Sequence, residues 1–157
     1  MRISKLADYA TLILTIMAQH ADVIVSASVV AHRALLEPST ASKILKLLSH
    51  AGLVESLRGT HGGYRLAHSA ETISLLDILQ AIDGPFAVTE CMLPAAGQCA
   101  RAAWCPPRAH WQRVQADLRQ SLQSIRLSSL VQSPQPNAPT DSSIPPPCCC
   151  TNRIVTC

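Results

Sequence analysis

A glycine-rich turn between two short runs of strand-forming residues restricts the fold of this chain more than any other segment. The runs cover residues 53–57 and 64–66, and Gly59, Gly62 and Gly63 lie between them. Glycines favour an antiparallel hairpin here, because they adopt backbone conformations that other residues avoid. The sequence therefore predicts a small β-hairpin, beside which the remaining elements must pack.

Three helices are predicted before the hairpin, from apolar residues that recur at helical spacing. They are expected over residues 4–20, 27–36 and about 40–50. Pro38 breaks the chain before the third helix, and Ser39 or Thr40 is its expected N-cap. Helices followed by a hairpin predict a mainly α fold with a small β-hairpin wing. This is the order of a winged helix-turn-helix domain, which we assign to residues 1–86.

The second half of the chain begins with a further helix. Ser74 and Asp77 form its expected capping box, and it ends near Asp83. The remaining segments are a cysteine-rich loop, a long C-terminal dimerisation helix and a disordered tail rich in proline and cysteine, at 87–107, 108–131 and 132–157. The dimerisation helix is inferred from its apolar stripe, which consists of Trp111, Val114, Leu118, Leu122 and Ile125.

Polar residues on the second helix of the helix-turn-helix pair, and two in the hairpin turn, are the candidate DNA contacts. They are Thr40, Ser42, Lys43, Lys46, Arg58 and His61. A recognition helix lies in the major groove, where lysine reads guanine or contacts phosphate, and a hairpin tip can enter the minor groove. The net charge of +3 is only weakly basic. From the residues alone, a solvated surface or a protein-binding module is about as well supported as DNA binding.

Three cysteines lie in the proline-broken loop, with the spacing C-x7-C-x5-C: Cys91, Cys99 and Cys105. Cysteine thiolates are soft ligands that hold iron–sulfur clusters, zinc or copper(I). Structural zinc sites usually have closer cysteine pairs, although His110 could complete a site of three cysteines and one histidine. Small buried apolar residues and metal-free redox thiols are the other interpretations of these cysteines.

Several motifs in order resemble those of the Rrf2 family of bacterial transcription regulators, over about residues 1–131. They are the opening residues 1–10, Ala-Gly-Leu-Val-Glu-Ser at 51–56, Arg-Gly-x-x-Gly-Gly-Tyr-Arg-Leu at 58–66, Leu-Leu-Asp-Ile at 75–78 and Gly-Pro at 84–85. The start, Ser-Lys-Leu-x-Asp-Tyr, most resembles that of the regulator of SUF iron–sulfur assembly genes. The resemblance implies a homodimeric winged-helix protein that binds double-stranded DNA at a pseudo-palindromic operator.

The resemblance also implies an iron–sulfur cluster, for which we expect the 2Fe-2S type rather than 4Fe-4S. The three loop cysteines match the cysteine ligands of family members. Some members take a fourth ligand from a histidine where this chain has Arg108, whose protonated guanidinium has no lone pair for a metal. Others use an aspartate near the N-terminus of the partner subunit, which Asp8 matches. We favour Asp8 as the fourth ligand over His110.

The expected function is repression of SUF-type iron–sulfur assembly genes in response to cluster status or oxidative stress. A nitric oxide-sensing repressor and a zinc-stabilised DNA-binding adaptor without sensing are the alternatives. His61 and Ser42 depart from the residues usual in the family, so the operator sequence cannot be carried over. The apolar run at 9–18 is too short to span a bilayer, and no secretory signal is visible. A cytoplasmic, non-enzymatic protein without a membrane partner is therefore expected.

Overall fold

The structure is a computed structural model that describes residues 3–20, 23–59, 62–93, 99 and 101–131. This part of the chain contains six α-helices and a two-stranded antiparallel sheet. In order they are α1 Lys5–Ala18, α2 Ala27–Arg33, α3 Pro38–His50, β1 Val54–Leu57, β2 Gly63–Leu66, α4 Leu75–Asp83, α5 Arg108–Ser124 and α6 Leu127–Val131. The predicted mainly α fold with a hairpin wing is confirmed. The predicted tail at 132–157 lies outside the described residues.

The hydrophobic core lies where α1, α3 and α4 pack together. Ser4 begins α1 as its N-cap, since its side chain accepts a hydrogen bond from the Ala7 backbone N–H at 3.1 Å. Of the apolar residues that recur at helical spacing on α1 and α3, Leu6 is half-buried against the core and the others are buried: Ala10, Ile13, Leu14, Met17, Ala41, Ile44, Leu45 and Leu48. Because α3 turns this stripe inward, its opposite side faces away from the core.

The turn between α2 and α3 differs from its predicted boundaries. Helix α2 ends at Arg33, three residues earlier than expected, and α3 begins at Pro38. Glu37 is the N-cap and makes no side-chain capping hydrogen bond, so the predicted cap at Ser39 or Thr40 is wrong. The physical reason is that proline fits the first turn of a helix, where its missing N–H has no partner to lose.

The hairpin pairs Val54 with Leu66 across its two strands. Val25, just before α2, extends this pairing: it exchanges two backbone hydrogen bonds with Tyr64, each 2.9 Å long. Gly63 permits this close approach, because an added Cβ would lie 2.7 Å from the Val25 carbonyl oxygen. The base of the wing is thus held against the chain that enters the helix-turn-helix pair.

The predicted capping box of α4 is confirmed. The Asp77 N–H donates to Ser74 Oγ at 3.2 Å, and the Ser74 N–H donates to Asp77 Oδ2 at 2.9 Å. At the other end of α4, Asp83 Oδ1 accepts a hydrogen bond from Ser4 Oγ at 2.5 Å. This hydrogen bond joins the end of α4 to the start of α1.

The single helix predicted over 108–131 is two helices in the structure. Helix α5 ends at Ser124 and α6 begins at Leu127, with Ile125 in an extended conformation between them. The break occurs because Leu127 is fully buried in the core and α6 packs on α1. None of the described helices is both long and apolar enough to cross a membrane.

Candidate nucleic-acid interface and cysteine segment

The outer side of α3 offers a ridge of polar and basic side chains. Lys43 and Lys46 are exposed opposite the buried stripe, one helical turn apart. Thr40 and Ser42 are half-buried at the two edges of this outer side. The four residues predicted on this helix therefore share a surface that a major groove could receive.

The wing adds one exposed cation in the described part of the hairpin turn, Arg58, directly after β1. His61, the other predicted wing contact, lies outside the described residues. Arg65 on β2 donates instead to Glu55, directly opposite on β1, in an ion pair of 2.7 Å. Both side chains are about half exposed, so the pair adds little stability, but Glu55 offsets the positive charge of Arg65 on the wing.

The cysteine segment, residues 87–107, leads from α4 to α5. Cys91 is exposed in a 3₁₀ turn, Glu90–Met92, and its Sγ lies 3.3 Å from Thr89 Oγ1. Cys99 is exposed and Cys105 is half-buried, and all three cysteines are free thiols. Within the described ranges, no three His, Cys, Asp or Glu side chains come together as a metal-binding group. The three candidate ligands thus share a segment but do not converge within one chain.

The two candidates for a fourth ligand lie on different helices. Asp8 is exposed in the first turn of α1, and His110 is exposed in the first turn of α5. Arg108 has another role: its guanidinium donates to the Ala102 carbonyl at 2.9 Å. That hydrogen bond ties the start of α5 to the chain between the second and third cysteines.

Helix α5 packs on α4 and also carries an apolar stripe that is partly exposed. Four of its five predicted members, Trp111, Val114, Leu118 and Ile125, are each 37–43% exposed, and Leu122 is half-buried. Every residue of α5 is described, and none is buried. A contiguous exposed apolar stripe of this kind marks a contact surface. Near its middle, α5 is attached to the cysteine segment through Gln115 Oε1, which accepts from the Val88 N–H at 3.1 Å.

Two features near these surfaces were not predicted from the sequence. A groove of about 630 Å³ connects Lys5 and Tyr9 on α1 with Thr40 on α3. Lys5 Nζ stands 5.6 Å from the centre of the Tyr9 ring, a cation–π contact that their spacing of four residues could have indicated. The pairing of Glu55 with Arg65 could not be predicted, because it depends on the hairpin register, which the glycine-rich turn does not specify.

Comparison with solved structures gives the class of protein to which these surfaces belong. CymR, the global cysteine regulator of B. subtilis, superposes with a TM-score of 0.65 at 26% identity, over 83% of this chain and 96% of that one. IscR of T. potens superposes with a TM-score of 0.63 at 25% identity, over 83% of this chain and 86% of that one. The fold is thus that of winged-helix, DNA-binding transcriptional regulators, a class that is not enzymatic.

The sequence comparisons identify the family within this class. The model of the Rrf2 family, described as an iron-dependent transcriptional regulator, matches residues 3–133. Protein rrf2 of Nitratidesulfovibrio vulgaris is 31% identical over 134 residues, which are 83% of this chain and 87% of that protein. The chain belongs to the Rrf2 family, as its motifs predicted.

Proposed function

We propose that this chain is a homodimeric repressor of SUF-type iron–sulfur assembly genes whose DNA binding depends on an iron–sulfur cluster. One observation carries the proposal: the three free thiols lie in the segment that joins the DNA-binding body to the exposed apolar helix α5. A change at these thiols can therefore alter the orientation of α5 relative to the DNA-binding body. The family description as iron-dependent and the likeness to IscR of T. potens support iron. The SUF targets rest on the resemblance of residues 4–9.

A second copy of the chain is the proposed partner of the apolar side of α5. From Trp111 to Ile125 the stripe runs for about 21 Å at 1.5 Å per residue. In a two-fold symmetric pair, each helix presents the same stripe to the other. The two copies of α3 would then meet half-sites about 34 Å apart in successive major grooves of a pseudo-palindromic operator.

Each subunit is proposed to contact DNA through the predicted set on α3 and the wing. The exposed lysines of α3 are suited to guanine edges or phosphates, and its half-buried hydroxyls discriminate less between bases. Arg58 is suited to phosphate or to the minor groove beside the wing, and we assign the same role to His61. Arg65, paired with Glu55, is left out of this set.

The donor chemistry of the cysteine segment fits an iron–sulfur cluster. Cys91, Cys99 and Cys105 would supply three soft thiolate ligands, and Asp8 of the partner subunit would supply the fourth. Asp8 suits this role because it is exposed in the first turn of α1, where a second subunit can reach it. A carboxylate is a hard ligand that iron exchanges readily, so a site closed by Asp8 would respond to small changes in iron or oxidant supply.

Anaerobic purification followed by absorption spectroscopy and iron and sulfide analysis tests this function. We expect a coloured protein with equal amounts of iron and acid-labile sulfide. Changing Cys91, Cys99 and Cys105 to alanine should remove both and weaken binding to an operator selected from random DNA. Asp8→Ala should make the cluster labile, whereas His110→Ala should leave it intact.

A matched control changes the other four cysteines, which lie in the predicted tail: Cys148, Cys149, Cys150 and Cys157. This variant should keep iron, sulfide and DNA affinity. A colourless, iron-free protein that binds its operator equally well without the three loop cysteines would contradict the proposal. Stoichiometric zinc would support the zinc-stabilised adaptor instead, and release from DNA by nitric oxide but not by oxygen would support the nitric oxide sensor.

Metal-free thiol sensing is the second candidate function. Cys91 and Cys99 are exposed free thiols, as a thiol sensor requires, and the likeness to CymR, a global cysteine regulator, points to signals other than iron. Iron-free protein that leaves DNA on treatment with hydrogen peroxide and returns with dithiothreitol would support this candidate over the first.

A further inference from the structure

The chain between α5 and α6 is paired with the chain that enters α4. The Leu75 N–H donates to the Ile125 carbonyl at 2.9 Å, and the Leu127 N–H donates to the Ile73 carbonyl at 2.9 Å. These two bonds flank an antiparallel bridge between Ser74 and Arg126. We call residues 125–128 the clasp. Because Ser74 is also the N-cap of α4, the clasp attaches at the point where that helix begins.

Side chains and a further backbone bond strengthen this attachment. Leu127 has no exposed surface and belongs to the hydrophobic core. Arg126 Nη1 donates to the Thr72 carbonyl at 3.1 Å, and the Ser128 N–H donates to the Ala70 carbonyl at 3.0 Å. The clasp therefore belongs to the DNA-binding body, whereas α5, which ends directly before it, buries none of its own residues.

The orientation of α5 depends on its packing against α4 and on the attachments at its two ends. Its N-terminal half contacts the cysteine segment through Gln115 and Val88, and its C-terminal end runs into the clasp. A helix of 17 residues is about 25 Å long, so a small rotation at one end displaces the other by several ångströms. The clasp is attached to α4, and α4 packs on α3. A rotation of α5 about the clasp therefore changes the angle between α5 and α3, the predicted recognition helix.

We infer that the clasp is a positioning element that sets the angle between α5 and the DNA-binding body, and thereby the half-site spacing that a dimer recognises. The inference rests on the proposed dimerisation through α5. Ile125, Arg126 and Leu127 act through the elements they join. Their predicted effect is on the geometry of a paired site, while the affinity of one body for one half-site stays the same.

An insertion tests the clasp without damaging the core. Leu127→Ala is the obvious variant, but it removes a buried side chain and can unfold the body. We therefore insert two glycines between Ser124 and Ile125, which keeps the clasp and the stripe residues that lie within α5 and frees the angle between them. The control carries the same two glycines after Val131, beyond the clasp. The probes are DNA duplexes with one or two copies of a half-site, at varied spacing, selected from random DNA by the wild-type protein.

The insertion should lower affinity for the optimally spaced pair by about tenfold, because flexible tethering reduces the effective concentration of the second body. It should also flatten the dependence on spacing, while single-half-site affinity, thermal unfolding and the dimer dissociation constant stay as in the control. A sharp, unchanged spacing preference would overturn the inference, as would equal losses on single and paired half-sites. If the wild-type protein itself gains nothing from a second half-site, the proposed dimeric function fails, and the inference fails with it.

Discussion

Leu35, in the turn between α2 and α3, has a backbone conformation that does not suit its side chain. Its φ is 52°, in the left-handed region, and its side chain is 90% exposed. A side chain in this region costs roughly 1–2 kcal/mol, and Leu35 gains little burial in return. We predict that Leu35→Gly raises the free energy of unfolding by about 1 kcal/mol, because glycine adopts this conformation freely. Urea unfolding followed by circular dichroism measures the change.

Leu35→Ala is the matched control, since alanine keeps the Cβ that causes the strain and removes only the exposed part of the side chain. Its stability should stay within about 0.5 kcal/mol of wild type, as for most surface substitutions. A glycine variant no more stable than the alanine variant would show that this turn stores no strain.

Removing the charge of Lys43 tests the proposal that the outer side of α3 contacts DNA. Each phosphate that the protein ceases to neutralise makes the slope of log K against log salt less negative by about 0.9, so Lys43→Gln should make it less negative by about 1.8 in a symmetric dimer. Arg113→Gln removes the same charge from α5, at a position away from its apolar stripe, and should leave the slope unchanged. Titration of operator DNA over a range of salt concentrations gives both slopes. An unchanged slope together with altered base preference would assign Lys43 to guanine instead of phosphate.

Some helix ends that depend on neighbouring residues could be predicted from the sequence, whereas a helix end shaped by distant contacts could not. The capping box of Ser74 and Asp77 is local, and the structure contains it. The break between α5 and α6 has no proline or glycine to announce it. It results from the burial of Leu127 and its bond to Ile73, which lies more than fifty residues earlier in the chain and leaves no trace in helical periodicity.

The same distinction applies to the cysteine segment. The spacing of three cysteines identified the candidate ligands, because ligand chemistry depends on residue type. It could not show which side chains meet in space, since that depends on the path of the segment and, in our proposal, on a second subunit. The described part of one chain does not bring three ligands together, so the ligand set stays a prediction.

The apolar stripe of helix α5 is the proposed contact between the two subunits. Leu118→Glu places a charge in the middle of the exposed apolar stripe and should weaken the dimer at least about 100-fold, since an unpaired carboxylate buried in each subunit costs several kcal/mol. Gln120→Glu, at a position of α5 away from the stripe, is the control and should leave dimerisation unchanged. Sedimentation equilibrium measures both dissociation constants. Because no residue of α5 is fully buried in the monomer, the two variants should unfold at similar temperatures at a concentration at which both are monomeric. Equal dimerisation of the two variants would contradict the assignment of this stripe.

At the scale of the whole molecule, the proposal requires that each metal site be shared between two subunits. Mixed dimers test this sharing directly. One subunit carries Asp8→Ala with its three loop cysteines intact, and the other carries those cysteines as alanine with Asp8 intact. Two different affinity tags allow the mixed dimer to be purified away from both parent homodimers.

If Asp8 acts across the dimer, the mixed dimer contains one complete site and one empty site. It should therefore hold about half the iron and sulfide of the wild-type dimer, with wild-type lability at the remaining site. If Asp8 acts within its own chain, neither subunit is complete, and the mixed dimer should be no more stable in its iron content than the Asp8→Ala homodimer. A mixed dimer of His110→Ala with the cysteine variant is the control, and it should hold half the wild-type iron in either case. Restored stability in the Asp8 pair would make cluster binding and dimer geometry parts of one equilibrium, because each site then exists only when both subunits are in place.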